Sequence, residues 1–368
     1  MVSIISLIVL GGFVTYLCFL QLQIIKYTRD RNDKLYCKIL LVLFIAVNVW
    51  FYINIDVLFP VDIILILGYS IMIAFFWIFH LIIKYVFKSE TIMRDRDTNF
   101  QETKDNLHEF LRKFFHFFTF GGSLLFVIIY GSVSVAVLET EPDLSKPIWA
   151  SIPFIAEIDI NISIDPYFYT PYVMQAAMGI FFMIALPFAI IVERFRLDPH
   201  KEIPFHSLFT KSLRESEQHN AAHYYFFVFG VFISAVLLPA TATFGILCVL
   251  CFGDTYAGLI GKRCKTHRHT IPWEDDKCWE GAIAGFFATF ITAILFVGWF
   301  LALILGIIFI IIDVITPNKL KVSDNFLYPL ICVLVMGFFI YILNFNMDGV
   351  LSNYFNQLNT FFIGEVSP

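Results

Sequence analysis

The stretch GAIAGFFATFITAILFVGWFLALILGIIFIIIDVIT, residues 281–316, contains one charged side chain, Asp313. An unbroken helix of this length would measure about 54 Å, whereas the hydrocarbon core of a bilayer is about 30 Å thick. The stretch is therefore too long for a single span. Gly298 lies near its middle and favours a break in the helix. The sequence predicts a tight hairpin of two transmembrane helices here.

The rest of the chain has the composition of a membrane protein. Of its 368 residues, 59% are hydrophobic and 15% are charged, whereas soluble domains are about a quarter charged. With the hairpin, the apolar segments predict an all-α, polytopic integral membrane protein with about ten transmembrane helices. The other segments are at 2–21, 36–55, 62–83, 114–137, 173–192, 221–238, 242–260 and 327–345.

The cations alternate between the predicted loops. Of the 25 Lys and Arg residues, all but Lys146 lie in connections that this topology places on one side of the membrane. Lys146 lies in the acidic 138–172 loop on the other side. By the positive-inside rule the cation-rich side is cytoplasmic, and both termini lie on the opposite face. The alternation depends on the hairpin at Gly298.

Ionisable residues also cluster beside the apolar segments, where a charge costs several kcal/mol unless it is paired or hydrated. In RKFFHFFTFG, residues 112–121, Arg112 and His116 share a helical face, and Lys113 lies beside them. Taken alone, snorkelling cations at a helix start and a buried histidine are the simpler interpretation.

Two further clusters also have ordinary explanations. In LRESEQHNAAHYYF, residues 213–226, Arg214 and Glu217 are spaced for an ion pair on one helical face, as in many surface salt bridges. Asp324 and Asn325 precede the last apolar segment, a position typical of a helix N-cap.

The cluster in CFGDTYAGLIGKR, residues 251–263, is harder to explain by packing, because Asp254 is a carboxylate in an apolar helix near its end. A carboxylate within reach of several cations suits a metal–polyphosphate site, in which the acid holds Mg²⁺ and the cations bind phosphate oxygens. The charged residues that follow, in this stretch and in KCWEG, 277–281, are Lys262, Arg263, Lys277 and Glu280.

The order of these motifs resembles the CTP-dependent lipid kinase family, which includes dolichol kinase, phytol and farnesol kinases and the CTP-dependent diacylglycerol kinase. The motifs are R-K-x-x-H at 112–116, R-x-x-E at 214–217, G-D-x-x-A-x-x-x-G-[KR] at 253–262, K-x-x-E-G at 277–281 and D-N-x-x-x-P at 324–329. The resemblance implies a catalytic domain at 111–345 and a tail at 346–368. Residues 1–110 are predicted to form an N-terminal transmembrane extension of about three spans with an interfacial amphipathic helix.

The resemblance implies transfer of the γ-phosphoryl group of CTP to a long-chain lipid alcohol at the cytoplasmic face, with Mg²⁺ or another divalent cation. Asp254 would be the leading metal ligand and Glu280 a second metal or base candidate. Lys277 would hold the triphosphate, and His116 could accept the proton of the alcohol. The implied CTP-binding residues are Arg112, Lys113, Arg214, Glu217, Gly253, Gly261, Lys262, Arg263, Gly281, Asp324 and Asn325.

The sequence departs from this family at three places. Cys278 stands where the family has Ser or Thr, Asn220-Ala-Ala-His223 replaces a Gly-rich turn, and Asp313 is the nearest acid to an expected Glu. The middle motifs are also similar to those of phosphatidate cytidylyltransferases, which remain the main alternative, and a membrane transporter is a third. The expected partners are CTP, a polyprenol, phytol or diacylglycerol, and the bilayer, without nucleic acid. The expected location is the endoplasmic reticulum of a eukaryote or the cell membrane of a prokaryote.

Overall fold

The computed structural model describes part of the chain: residues 4–53, 78, 81, 113–129, 166–198, 213, 217, 219–263, 269–272, 274–316, 324–345, 347 and 349. Several sequence predictions lie outside these residues. They are the span at 62–83 apart from Ile78 and Leu81, the site residues Arg112 and Arg214, and most of the tail after 345.

The described residues are mainly helical, as predicted. The helices agree with eight of the predicted apolar segments to within a few residues at most ends. In chain order they are α1 (Ile4–Tyr27), α2 (Arg31–Ile53), α3 (Lys113–Ile129), α4 (Pro166–Arg196), α5 (His223–Leu237), α6 (Ala240–Arg263), α7 (Trp279–Ile315) and α8 (Asp324–Ile342).

The predicted break in α7 is present. Gly298 has φ 80° and ψ 169°, so the helix reverses direction at this residue. The two halves then pack against each other: a Cβ added to Gly306 would lie 3.0 Å from the ring of Phe286, and one added to Gly285 would lie 2.1 Å from the ring of Phe309. These contacts confirm the hairpin, which brings the first and last turns of α7 to the same end.

Four of the described helices are long and apolar enough to cross a membrane: Ala177–Arg196 within α4, α6, α7 and α8. Two shorter apolar helices, α3 and α5, accompany them. Large apolar side chains cover the outside of several helices: Phe118 in α3, Ile291 and Trp299 in α7, and Leu334 in α8 are all more exposed than buried. A surface of this kind suits contact with lipid. The chain is therefore a membrane protein, and the count of about ten spans stays a prediction.

Helix α5 lies at the centre of the bundle and is buried along nearly its whole length. It packs against both α4 and α8. The contact with α8 is close at Gly230, where an added Cβ would lie 2.3 Å from Cγ of Pro329. Helices α1 and α2 join the same core, for example where the rings of Phe44 and Phe229 meet edge to face at 5.9 Å.

One element differs from an all-helical prediction. A short antiparallel hairpin, β1 (Thr270–Ile271) and β2 (Glu274–Cys278), connects α6 to α7. Its local cause is the Thr-Ile pair, which favours extended backbone, followed by Pro272 at the turn. The hairpin places Lys277 next to the end of β2, two residues before α7 begins.

Candidate functional site

Asp254 lies deeper in its helix than the sequence indicated. The residue is nine positions before the end of α6 at Arg263, about 14 Å along the axis. A π-helical turn, Val249–Gly253, directly precedes it. Such turns insert one extra residue per turn, re-aim the following side chains, and occur often at functional sites. Asp254 thus follows the π-helical turn and begins the last ten residues of α6, which end on Lys262 and Arg263.

Asp254 is neutralised by Lys113, the first described residue of α3. The Lys113 ammonium binds the carboxylate and also donates to the backbone carbonyl of Asp254, at 3.2 Å. Both side chains are largely buried, at 8% and 21% exposed. An unpaired charge here would be costly, and the ion pair removes most of that cost.

Aromatic rings hold α3 in place over this turn. Phe117 and Phe120 both meet the ring of Phe252 edge to face, at 5.2 and 5.3 Å. Phe252 belongs to the π-helical turn and precedes Asp254 by two residues. These contacts therefore hold α3 against the turn that leads to Asp254. In addition, the Cys251 thiol donates to the His116 carbonyl at 3.3 Å. Lys113 is thus positioned by packing within the two turns that follow it.

Small residues let α6 approach α7 closely. Gly253, Ala257 and Gly261 recur every four residues in α6, as do Gly281 and Gly285 in α7. A Cβ on Gly281 would lie 2.8 Å from the Ala257 carbonyl oxygen, and one on Gly285 would lie 2.9 Å from that of Gly253. This is the small-residue contact common between membrane helices. Gly253, Gly261 and Gly281 therefore have a packing role, and their contact with CTP stays a prediction.

A second ion pair joins the two ends of the α7 hairpin. Lys277 donates to the Asp313 carboxylate at 2.8 Å and to its backbone carbonyl at 2.9 Å. Burial lowers the pKa of Lys277, but the carboxylates of Asp313, Asp324 and Asp254 more than offset this, so the pKa is raised. Lys277 is therefore a cation that is paired with Asp313 and also influenced by the charges of Asp324 and Asp254.

The first turn of α8 completes this acidic surrounding. Asp324 begins the helix, and its carboxylate accepts a bond of 2.8 Å from the backbone N–H of the next residue, Asn325. A capping side chain instead accepts from the second or third N–H of the helix. Asn325 is buried. The capping explanation therefore stays a prediction, and the charge of Asp324 also acts on Lys277.

Glu280 has a different partner. Its carboxylate binds Nδ1 of His269 at 2.5 Å and accepts the backbone N–H of the same residue at 3.2 Å. His269 is 82% exposed, so this pair lies at the surface. Lys262 and Arg263 are exposed at the end of α6.

The residues described contain no group of three or more His, Cys, Asp or Glu side chains arranged to hold a metal ion. A protein cage for Mg²⁺ is therefore not formed by the described side chains alone. Mg²⁺ that accompanies a nucleotide needs only one or two carboxylates, because phosphates and water supply the other ligands. Asp254 and Asp313 fit this requirement, and each now neutralises a lysine.

His116 lies one helical turn after Lys113, and His223 of α5 is next to it. The ring of His116 packs on Phe227 at 4.3 Å and faces the ring of His223 at 5.9 Å. Glu217, which the sequence paired with Arg214, binds Nδ1 of His223 at 3.1 Å. The spacing of Glu217 and His223 indicates from the sequence that they share one helical face. The contact of His223 with His116 could not be predicted from the sequence.

A further polar network was missed at the sequence level. Glu193 and Arg196, both buried, form a two-point ion pair at 2.6 and 2.8 Å. Glu193 also accepts bonds from the Tyr224 hydroxyl, at 2.5 Å, and from the backbone N–H of Ala222, at 2.8 Å. The run VERFRLD, residues 192–198, follows an apolar segment and is the feature of the sequence that indicates this network. Its two arginines had been interpreted only as loop cations. The network ties the end of α4 to the start of α5.

Fold and site define a helical membrane protein with a polar site of lysine–carboxylate pairs between α3, α6, α7 and α8. No protein-family model matches the chain, and neither a curated protein nor a solved structure is significantly similar to it.

Proposed function

We propose that this protein is a CTP-dependent lipid-alcohol kinase, which transfers the γ-phosphoryl group to a long-chain acceptor such as a polyprenol. The observation that carries the proposal is the pair of ion pairs Lys113–Asp254 and Lys277–Asp313 beside the acidic start of α8. Phosphoryl transfer needs cations on the phosphate oxygens and carboxylates for the accompanying metal ion. Both kinds of group are present here.

In this proposal each lysine exchanges its carboxylate for a phosphate. Lys113 and Lys277 bind oxygens of the triphosphate, as ammonium groups do at other nucleotide sites. Asp254 and Asp313 then become available to a divalent cation, which supplies positive charge to the phosphate oxygens when bound. Asp313 takes the place that the sequence resemblance gave to Glu280, because Asp313 binds the lysine of the site whereas Glu280 binds the exposed His269.

Exposed aromatic side chains beside Lys113 suit an apolar, long-chain acceptor. The rings of Phe114 and Phe118 stack on each other at 6.2 Å and are both at least half exposed. They belong to the same two turns of α3 as Lys113, on a face left open to lipid. A long-chain alcohol lying against this face would bring its hydroxyl to the polar site without leaving the bilayer.

The test uses membranes that contain the protein, Mg²⁺ and CTP labelled at either the γ or the α phosphate. Dolichol, phytol, diacylglycerol and phosphatidate are each offered. We expect γ label in an alcohol acceptor, and loss of transfer in Asp254→Asn and Asp313→Asn. Asp198→Asn is the matched control, because Asp198 pairs with Arg194 away from the site. Label from the α position in phosphatidate would instead establish a cytidylyltransferase.

One observation favours transport as a second candidate. Asp254 lies within an apolar helix behind a π-helical turn, and ionisable residues inside spans often belong to ion pathways. Proteoliposomes with an imposed pH gradient test this directly. Proton flux in the wild type that Asp254→Asn abolishes, without any transfer from CTP, would replace the kinase by a transporter.

A further inference from the structure

Glu217 and His223 form a buried carboxylate–imidazole pair next to the site. Oε2 of Glu217 lies 3.1 Å from Nδ1 of His223, the first residue of α5. The two side chains are 13% and 3% exposed. The short segment between them thus returns the glutamate to the start of the helix and fixes the orientation of the ring.

This contact sets the tautomer of the imidazole. An ionised carboxylate can only accept a hydrogen bond, so the Nδ1 atom must carry the proton. In the neutral ring, Nε2 is then a lone-pair acceptor. Among the described residues, Nε2 of His223 is buried and has no hydrogen-bond partner. Bracing the loop needs only the Nδ1 atom of His223. That role alone does not explain why Nε2, a buried hydrogen-bond acceptor, has no donor.

The position of the pair connects it to the lysine–carboxylate site. The ring of His223 meets the ring of His116 edge to face at 5.9 Å. His116 lies three residues after Lys113 in α3 and therefore on the same helical face. Lys113 in turn binds Asp254. Two contacts and one shared helical face thus connect Glu217 to Lys113, which binds the carboxylate within α6.

We propose that Glu217 and His223 form a proton-accepting dyad for the acceptor hydroxyl, a role that sequence resemblance had suggested for His116. The proposal rests on the proposed kinase function. As the acceptor oxygen bonds to the γ-phosphorus, its O–H bond breaks and the proton moves to Nε2 of His223. The bond from the γ-phosphorus to the bridging oxygen breaks, and its electron pair leaves with CDP. The Glu217 carboxylate stabilises the imidazolium that forms, and the imidazolium then returns its proton to water.

The decisive variant is His223→Asn. Its amide nitrogen can replace Nδ1 as the donor to Glu217, so the brace is kept while the acceptor nitrogen is lost. We expect a 10²- to 10⁴-fold fall in kcat with little change in KM for CTP, and loss of the acid limb of the pH–rate profile. Glu217→Gln should give a smaller fall in kcat. The glutamine side-chain oxygen can still accept from Nδ1, but it carries no charge to stabilise the imidazolium. His219→Asn, in the same loop, is the matched control and should leave the rate unchanged.

The outcomes separate the dyad from the kinase proposal. Wild-type transfer that His223→Asn leaves unaffected, with the same pH profile, overturns the dyad alone. Absence of transfer to any lipid alcohol by the wild type overturns the kinase proposal.

A second measurement does not depend on activity. Nitrogen-15 NMR of histidine-labelled protein, with the His223 signal assigned from its loss in His223→Asn, reports which ring nitrogen carries the proton. We expect the Nδ1–H tautomer in the wild type and a changed tautomer population in Glu217→Gln. An Nε2–H tautomer in the wild type overturns the dyad whatever the activity.

Discussion

Lys113 and Asp254, 141 residues apart in sequence, form an ion pair between α3 and the residue that follows the π-helical turn of α6. The pair lies among apolar helices and is mostly screened from solvent. The same ion pair therefore neutralises a carboxylate within a span and forms part of the polar site.

The stability of this pair can be measured by a double-mutant cycle. Lys113→Met and Asp254→Leu each break this buried ion pair, so each should lower the free energy of unfolding by about 3–5 kcal/mol. The double variant should lower the free energy of unfolding by clearly less than the sum of the two single losses. Unfolding in detergent micelles followed by circular dichroism gives all four values. Lys38→Met, at an exposed position of α2, should change stability by less than about 0.5 kcal/mol, and strict additivity in the cycle would contradict the buried pair.

The close approach of α6, the first half of α7 and the second half of α7 depends on Gly285. A Cβ here would meet the Phe309 ring at 2.1 Å and the Gly253 carbonyl oxygen at 2.9 Å. Gly285→Ala should therefore destabilise the protein by about 1–3 kcal/mol through overpacking.

Two further variants identify the cause. Phe309→Leu in the Gly285→Ala background should recover part of the loss, because it removes the ring that the methyl group meets. Gly121→Ala, where nothing lies within 4 Å of the added carbon, should be neutral or stabilising by up to about 1 kcal/mol through helix propensity. Equal effects of Gly121→Ala and Gly285→Ala would show that the helices do not meet at Gly285.

The sharp reversal of α7 needs glycine at position 298. Its φ of 80° and ψ of 169° lie in a region that residues with a Cβ essentially do not occupy. Gly298→Ala should cost about 1–3 kcal/mol, and Gly298→Asn should cost as much, because asparagine tolerates only the left-handed helical region. Gly179→Ala in α4, with open space around its Cβ position, is the control. Thermal unfolding measures the differences, and a harmless Gly298→Asn would place the reversal elsewhere.

Much of the helical layout could be predicted because it depends on local sequence. Runs of apolar residues define the helices, and the excessive length of 281–316 together with Gly298 defines the hairpin. The residues of the site were also recognisable as charges beside apolar segments. Their partners were not, since Lys113–Asp254 and Lys277–Asp313 join residues that only the packed helices bring together. The π-helical turn before Asp254 has no signal in composition or periodicity. The Gly and Ala residues at 253, 257 and 261 could be read as a packing stripe, but the resemblance to nucleotide-binding motifs favoured another interpretation.

Two adjacent tyrosines in α5 give a matched test of the network at the end of α4. Tyr224 donates its hydroxyl hydrogen to Glu193 at 2.5 Å. Tyr225 is completely buried, and among the described residues its hydroxyl has no hydrogen-bond partner. Tyr224→Phe removes a bond to a buried charged group and should cost about 1.5–3 kcal/mol, whereas Tyr225→Phe should be neutral or slightly stabilising. Both variants keep the ring, so packing is the same in each. Equilibrium unfolding of the two proteins under identical detergent conditions decides the matter, and a larger loss in Tyr225→Phe would mean that its hydroxyl, rather than that of Tyr224, holds the network.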